Sequence, residues 1–231
     1  MKRRASEYKV HDELPERNAA MTIRAVVFDI GGVLEITPRT GWVEKWEARL
    51  HLKPGELDER LIDVWRASSL GTISEEDMEQ RTGEILGIDQ GHVEALMADL
   101  WEEYLGELNV ELAVYFASLR PRYQTALLSN SFVGARSREQ ERYHFAEICD
   151  LLIYSHEEGI AKPERRILEL TCERLGVKPT EIVFLDNVEA NVAAAREFGI
   201  QAILFRETKE AIADIQACLQ VSSPFETISS T

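Results

Sequence analysis

Cysteine is scarce in this sequence: Cys149, Cys172 and Cys218 are odd in number, widely spaced, and each sits in a mostly apolar or helical stretch. That pattern points to neither a disulfide framework nor a zinc site, and the thiols are expected as small core residues. Long apolar runs are also missing. No stretch approaches the roughly 20 residues a bilayer requires. The opening MKRRASEYKVHDELPERNAAM is charged and polar, unlike a secretory leader, so a cytoplasmic protein without a membrane partner is expected. Positive charge is the third shortage, with 26 Lys and Arg against 41 Asp and Glu and a formal net charge of −15. Such a field repels polyanions and argues against nucleic acid as a partner. It also repels a phosphorylated small molecule, so a phosphate site would need its own positive charge from a lysine or a metal ion. The five histidines fall in no ligand spacing with Cys or carboxylates, and only His156, just ahead of Lys162, is placed to line a site.

What the chain does have is a series of short apolar runs rich in β-branched and aromatic residues, bounded by turn residues. They cover Ala25 to Phe28, Thr125 to Leu128, Leu151 to Tyr154, Ile182 to Leu185 and Ala202 to Phe205. Helical patterns over Val110 to Leu119, Glu139 to Phe145, Glu164 to Leu175, Val188 to Phe198 and Lys209 to Leu219 alternate with the later runs. Alternation of this kind predicts an α/β fold with a doubly wound parallel sheet. No strand-like run lies between residues 28 and 125. That span reads as helix throughout: Trp42 to Leu50, Gly55 to Ala67, Ser74 to Leu86 and Gly91 to Leu105 each repeat apolar residues at three and four, and Ser74-Glu75-Glu76-Asp77 opens its helix with a cap residue and an acid in the third helical position.

The expected organisation is therefore a flexible extension over 1–21, an α/β core over 22–36 and 109–220, a helical cap over 37–108 and a flexible tail over 221–231. Ligands of open α/β sheets bind beyond the carboxyl ends of the strands, so an insert rooted after the first strand would hang over the site as a lid. Trp42, Trp46, Trp65 and Trp101 lie on that insert, where most are expected to fill a helical core and one or two to form a substrate wall.

Each strand ends on polar chemistry. The first runs VVFDIGGVL and ends at Asp29, TALLSNS ends at Ser129-Asn130, GIAKPERRIL brings Lys162 after the third, and IVFLDNVEAN ends at Asp186-Asn187. All four should meet at one sheet edge. Two carboxylates, a hydroxyl with free backbone amides, and an ammonium are what metal-assisted phosphoryl transfer requires. Singly, each has a plainer reading: Asp29 as a turn cap, Ser129-Asn130 as an ordinary turn, Asp186-Asn187 as an N-cap pair, and Lys162 as a loop lysine before Pro163, which opens a helix at its first turn.

In order and spacing, FDIGGVL, LLSNS, GIAKPERRIL and FLDNVEANVAAAREFGI resemble the four motifs of the haloacid dehalogenase-like (HAD) hydrolase superfamily, in its branch with a small helical cap. The likeness covers all but the two tails and is closest to sugar-phosphate phosphatases, lipid-phosphate phosphatase domains and 2-haloacid dehalogenases. It implies a Rossmann-like core and a Mg²⁺-dependent phosphatase acting on a small phosphorylated metabolite, with sugar phosphates among the expected substrates. Asp29 would be the nucleophile, carrying an aspartyl-phosphate intermediate. Lys162 would steady the charge of nucleophile and phosphoryl group, and with Ser129 and Asn130 would bind phosphate. Asp29, the Gly31 carbonyl and Asp186 would hold Mg²⁺. The chain is expected as a monomer or homodimer. Asn191 is expected to anchor its loop rather than touch substrate.

Two positions depart from the family pattern. Gly31 stands where most of its phosphatases carry a second aspartate, and Asn187 where many carry a paired acid. The first removes the usual proton donor, and the second weakens the metal's surroundings. They keep two other readings open, a 2-haloacid dehalogenase and a catalytically weak relative that binds a phosphorylated ligand.

Overall fold

The computed structural model describes residues 22–221. The expected flexible ends lie outside this range, apart from the backbone of residue 221, which closes the last helix. Strand β1 (Ala25–Phe28) is buried along its length, with Val26 and Phe28 in one apolar core and Ala25 and Val27 in another. A strand buried on both faces belongs in the middle of a parallel sheet, because successive side chains point to opposite sides.

After β1 the chain turns through β2 (Glu35–Ile36) into α1 (Trp42–Arg49), α2 (Glu56–Ser69), α3 (Glu75–Leu86) and α4 (Gln90–Leu105), and returns through β3 (Glu107–Leu108). These helices close on a core of their own around Trp46, Leu57, Leu61, Met78 and Leu96. The box expected at Ser74 is present: its hydroxyl accepts from Asp77 N at 3.0 Å and Asp77 Oδ2 accepts from Ser74 N at 3.0 Å. The span is not all helix, however. β2 and β3 pair antiparallel, Glu35 with Leu108 and Ile36 with Glu107, as a stem joining cap to core. Two residues a side give no period for a sequence pattern to display.

The core continues through α5 (Val110–Ser118), β4 (Gln124–Ser129), α6 (Ala135–Tyr143), α7 (Phe145–Ile148), β5 (Leu151–Tyr154), α8 (Ser155–Glu158), α9 (Arg165–Leu175), β6 (Ile182–Asp186), α10 (Glu189–Phe198), β7 (Gln201–Leu204) and α11 (Thr208–Val221). The sheet order is β5-β4-β1-β6-β7, all parallel. Leu112 and Phe116 of α5 and Ile215 of α11 cover one face, and Ile167 and Leu168 of α9 with Val192 of α10 cover the other. Phe28 stacks on Phe116 with ring centroids 4.5 Å apart. Truncating either ring to alanine is expected to cost about 3–5 kcal/mol.

Three local readings need correction. The helix expected over Glu139 to Phe145 begins at Ala135 and breaks at His144, which has a φ of 55°. Its first turns bury only Ala135 and Glu139, so no apolar stripe announced them. Pro163 does not open a helix: α9 starts at Arg165 behind Glu164, and the Lys162–Pro163 bond is cis. Nor do Asp186 and Asn187 cap α10, because Val188 holds that position and its N–H donates to Asp186 Oδ1 at 2.7 Å.

Candidate active site

Because β4, β1 and β6 are neighbours, Ser129, Asp29 and Asp186 emerge side by side at one sheet edge. Lys162 reaches them from the loop between α8 and α9. Its Nζ lies 2.7 Å from Asp29 Oδ1, 2.8 Å from Asp186 Oδ2 and 2.8 Å from the Leu128 carbonyl. All three charged residues are buried. The lysine loop is held by Asn130, whose Nδ2 donates to the Lys162 carbonyl and whose Oδ1 accepts from the Lys162 N–H, each at 2.8 Å. The side chain of Asn130, the expected phosphate ligand, is thus taken up in positioning Lys162. Ser129 ends β4 fully buried beside Tyr154 of β5. Asn191 Nδ2 lies 3.1 Å from each oxygen of Asp186 and fixes that carboxylate. His156 meets Ser131 at 2.8 Å, and burial holds its imidazole pKa below the usual value.

Two carboxylates share one ammonium here, so the buried cluster carries an excess negative charge. Burial pushes the Asp29 carboxyl up to about 6, and Asp186 adds to this, while Lys162 and the Ile30 N–H oppose it. The Ile30 N–H (2.8 Å) and Lys162 both bond to Oδ1. No hydrogen bond to Oδ2 is found among the described residues. Asp29 is therefore an anion at neutral pH with one oxygen held and the other uncommitted.

The residues present fit Mg²⁺. No group of three or more His, Cys, Asp or Glu among the described residues could hold a metal unaided. The donors expected from the sequence, two carboxylates and the Gly31 carbonyl, are all hard oxygens, which would suit an ion that keeps several non-protein ligands. Space is available as well: a Cβ placed on Gly31 would meet nothing within 4 Å. Gly32 differs, since it has a φ of 73° and a Cβ there would lie 2.1 Å from Asn187 Nδ2. Of the two glycines, Gly32 is the one the backbone requires.

The structure adds a group that the sequence did not flag. Glu35 of β2 is fully buried, with both carboxyl oxygens lacking a hydrogen-bond partner among the described residues. Burial, then Glu139, pushes its pKa up to about 10. Glu139 of α6 accepts from Tyr154 at 2.6 Å and from Tyr104 at 3.0 Å, and burial pushes it up to about 7. Both glutamates feel the Asp29 charge, so a pair of acids with raised pKa values backs the nucleophile. A carboxyl with a raised folded pKa binds its proton more tightly folded than unfolded. Its contribution therefore declines as pH rises from the unfolded value toward the folded one. Glu35→Gln, neutral at every pH, is expected to lose less stability between pH 5 and 9 than the unmodified chain, by up to about 1.4 kcal/mol per pH unit. Urea unfolding across that range checks this, and parallel curves would contradict it.

The chain is 25% identical over 190 residues to D-ribitol-5-phosphate phosphatase of Bacteroides thetaiotaomicron, a match covering 78% of this chain and 90% of that protein. It is 29% identical over 208 residues to mouse acyl-CoA dehydrogenase family member 10 and 27% identical over 216 residues to pig bifunctional epoxide hydrolase 2. Each of those matches covers 85% of this chain but only 19% and 39% of the relative, so the chain spans about a fifth and two fifths of their lengths. A solved structure described as a predicted HAD-like family hydrolase from Porphyromonas gingivalis superposes with a TM-score of 0.73 at 26% identity, covering 86% of this chain and 98% of that one. A HAD family enzyme of Bacteroides thetaiotaomicron in complex with magnesium and inorganic phosphate shares the fold, with a TM-score of 0.68 at 22% identity over 80% of this chain and 94% of that one. The haloacid dehalogenase-like hydrolase profile matches residues 23–199, and the chain belongs to that family.

Proposed function

We propose that the chain is a Mg²⁺-dependent phosphomonoesterase that transfers a phosphoryl group to Asp29 and then to water. The observation that carries this reading is the buried Asp29–Lys162–Asp186 constellation at the ends of neighbouring strands. Asp29 is pre-aimed, with Oδ1 pinned by Lys162 and the Ile30 N–H and Oδ2 left to attack phosphorus. Lys162 offsets the charge that gathers as anion meets anion. Backbone N–H groups of the turn after Ser129 would receive phosphate oxygens, apart from that of Ser131, which donates to Ser155 Oγ at 3.0 Å. Bound Mg²⁺ would supply the positive charge that this acidic chain lacks at the site. Asp186, fixed by Asn191 and the Val188 N–H, would be its deepest ligand. Attack on carbon with halide loss needs no metal and leaves Asp186 only its pairing with Lys162, so the phosphatase reading, which uses both carboxylates, is preferred. The magnesium and phosphate in one fold neighbour and the activity named for the ribitol-phosphate relative support it.

A screen of phosphorylated metabolites with Mg²⁺ and with chelator tests the proposal. Phosphate release abolished by chelator and restored by Mg²⁺ is expected. Halide release from 2-haloacids that survives chelator would overturn it.

A further inference from the structure

Between cap and core lies a cavity of about 260 Å³ whose walls are mostly aromatic: Trp42 of α1, Trp65 of α2, Tyr104 of α4, and Phe132 of the loop leaving β4, with Leu100 beside them. Phe132 is the hub, its ring centroid 4.9 Å from Tyr104 and 6.4 Å from Trp65. Two wall residues tie the cavity to the catalytic edge along the chain. Phe132 follows the Ser129-Asn130 turn, and Thr37, also on the wall, directly follows the stem strand that continues from Gly31.

The polar groups of the wall are largely committed elsewhere. Tyr104 donates its hydroxyl to Glu139 at 3.0 Å. Glu103 Oε2 accepts from the Thr40 N–H at 2.7 Å and from its hydroxyl at 2.6 Å. What remains is the Thr37 hydroxyl, one Glu103 oxygen and the indole N–H groups of Trp42 and Trp65; only the first both donates and accepts, whereas every hydroxyl of a polyol chain needs both kinds of partner. Each hydroxyl buried without a partner costs about 1–3 kcal/mol, whereas each buried methylene gains about 0.8 kcal/mol. A dry apolar cavity of about 150 Å³ already holds benzene, so this one has room for more than a single ring.

We propose that the cavity is the subsite for the organic part of the phosphate ester, and that this part is apolar, a ring system or a hydrocarbon chain rather than a polyol. The assignment rests on the phosphatase reading and narrows its substrate class. It predicts a substrate unlike the one named for the ribitol-phosphate relative.

Primary alkyl phosphates from ethyl to octyl test it, because their leaving-group pKa barely changes while apolar area grows. With the full chain and Mg²⁺, kcat/KM is expected to rise by up to about fourfold per methylene until the cavity is full. Ribitol 5-phosphate should trail hexyl phosphate by about tenfold or more. Trp65→Ser and Phe132→Ser, checked for folding by thermal melting, should flatten the slope. In parallel, calorimetry of the free alcohols should show hexanol binding and ribitol not binding. A flat chain-length series, or faster turnover of ribitol 5-phosphate, overturns the subsite and leaves the phosphatase reading intact. Hexanol binding without phosphate release from any ester supports the subsite and removes the phosphatase reading. Absence of both removes the subsite.

Discussion

Asp29→Asn should lower turnover by about 10⁴-fold or more while leaving the protein folded, because the substitution keeps the shape of the side chain and removes the attacking charge. The structure explains why the fold survives. An asparagine oxygen at Oδ1 still accepts from the Ile30 N–H and from Lys162, and Lys162 keeps its contact with Asp186 at 2.8 Å. Losing one of two carboxylates around a single buried ammonium removes the excess negative charge and with it the burial cost that raises the Asp29 pKa. Stability should therefore hold or rise, so lost activity cannot be assigned to unfolding. Steady-state phosphate release and thermal melting of the same preparation provide the check. A folded variant with more than about one hundredth of the original rate would remove Asp29 from the nucleophile's role.

The strand ends were legible because a buried parallel strand writes its whole length in apolar residues and then stops. Asp29 and Asp186 each end a run of four buried apolar residues, and that break in apolarity is the signal. Lys162 was legible only through its motif, since nothing local tells that a loop lysine will be buried against two acids from other strands. Asn130 shows the limit from the other side. Its position was readable, but its partner lies 32 residues away on the Lys162 backbone, and no periodicity encodes that bond. Glu35 was missed for a like reason. As a charged residue after Val33-Leu34 it reads as the start of a polar turn, and only the pairing of β2 with β3, set by the closure of cap on core, buries it. Of the cap tryptophans, Trp46 is buried and hydrogen-bonded to Asp99, while Trp42 and Trp65 line the aromatic cavity. Which tryptophan would do which depended on the position of Phe132, a core residue.

Gly31 leads to the other large effect, a steep dependence of rate on the leaving group. When a phosphate ester breaks, the departing oxygen gathers negative charge, and a positioned acid that relieves it contributes about 10²- to 10⁴-fold. Gly31 has no side chain to give a proton. The carboxyl groups closest in character to the task, Glu35 and Glu139, are buried, the first without any exposure and the second tied to two tyrosines. The unmodified chain should therefore favour leaving groups that need little help, hydrolysing aryl and acyl phosphates well and alkyl phosphates slowly, with log kcat/KM falling as leaving-group pKa rises. Gly31→Asp restores a carboxyl at this position. The site accepts it without strain, since position 31 is exposed, its φ lies outside the left-handed region, and a Cβ meets nothing within 4 Å. The same change at Gly32 would collide with Asn187 and serves as the negative control. Gly31→Asp should raise alkyl phosphate turnover by about 10²-fold or more, change aryl phosphate turnover little, and so flatten the slope. A series of substituted aryl and alkyl phosphates, with chemistry shown to limit the rate, reads both slopes. If the unmodified chain is already flat, another group supplies the proton. Glu35→Gln then becomes the decisive variant, because a carboxyl held neutral up to about pH 10 is the one acid behind Asp29 that keeps a proton to give across the working range.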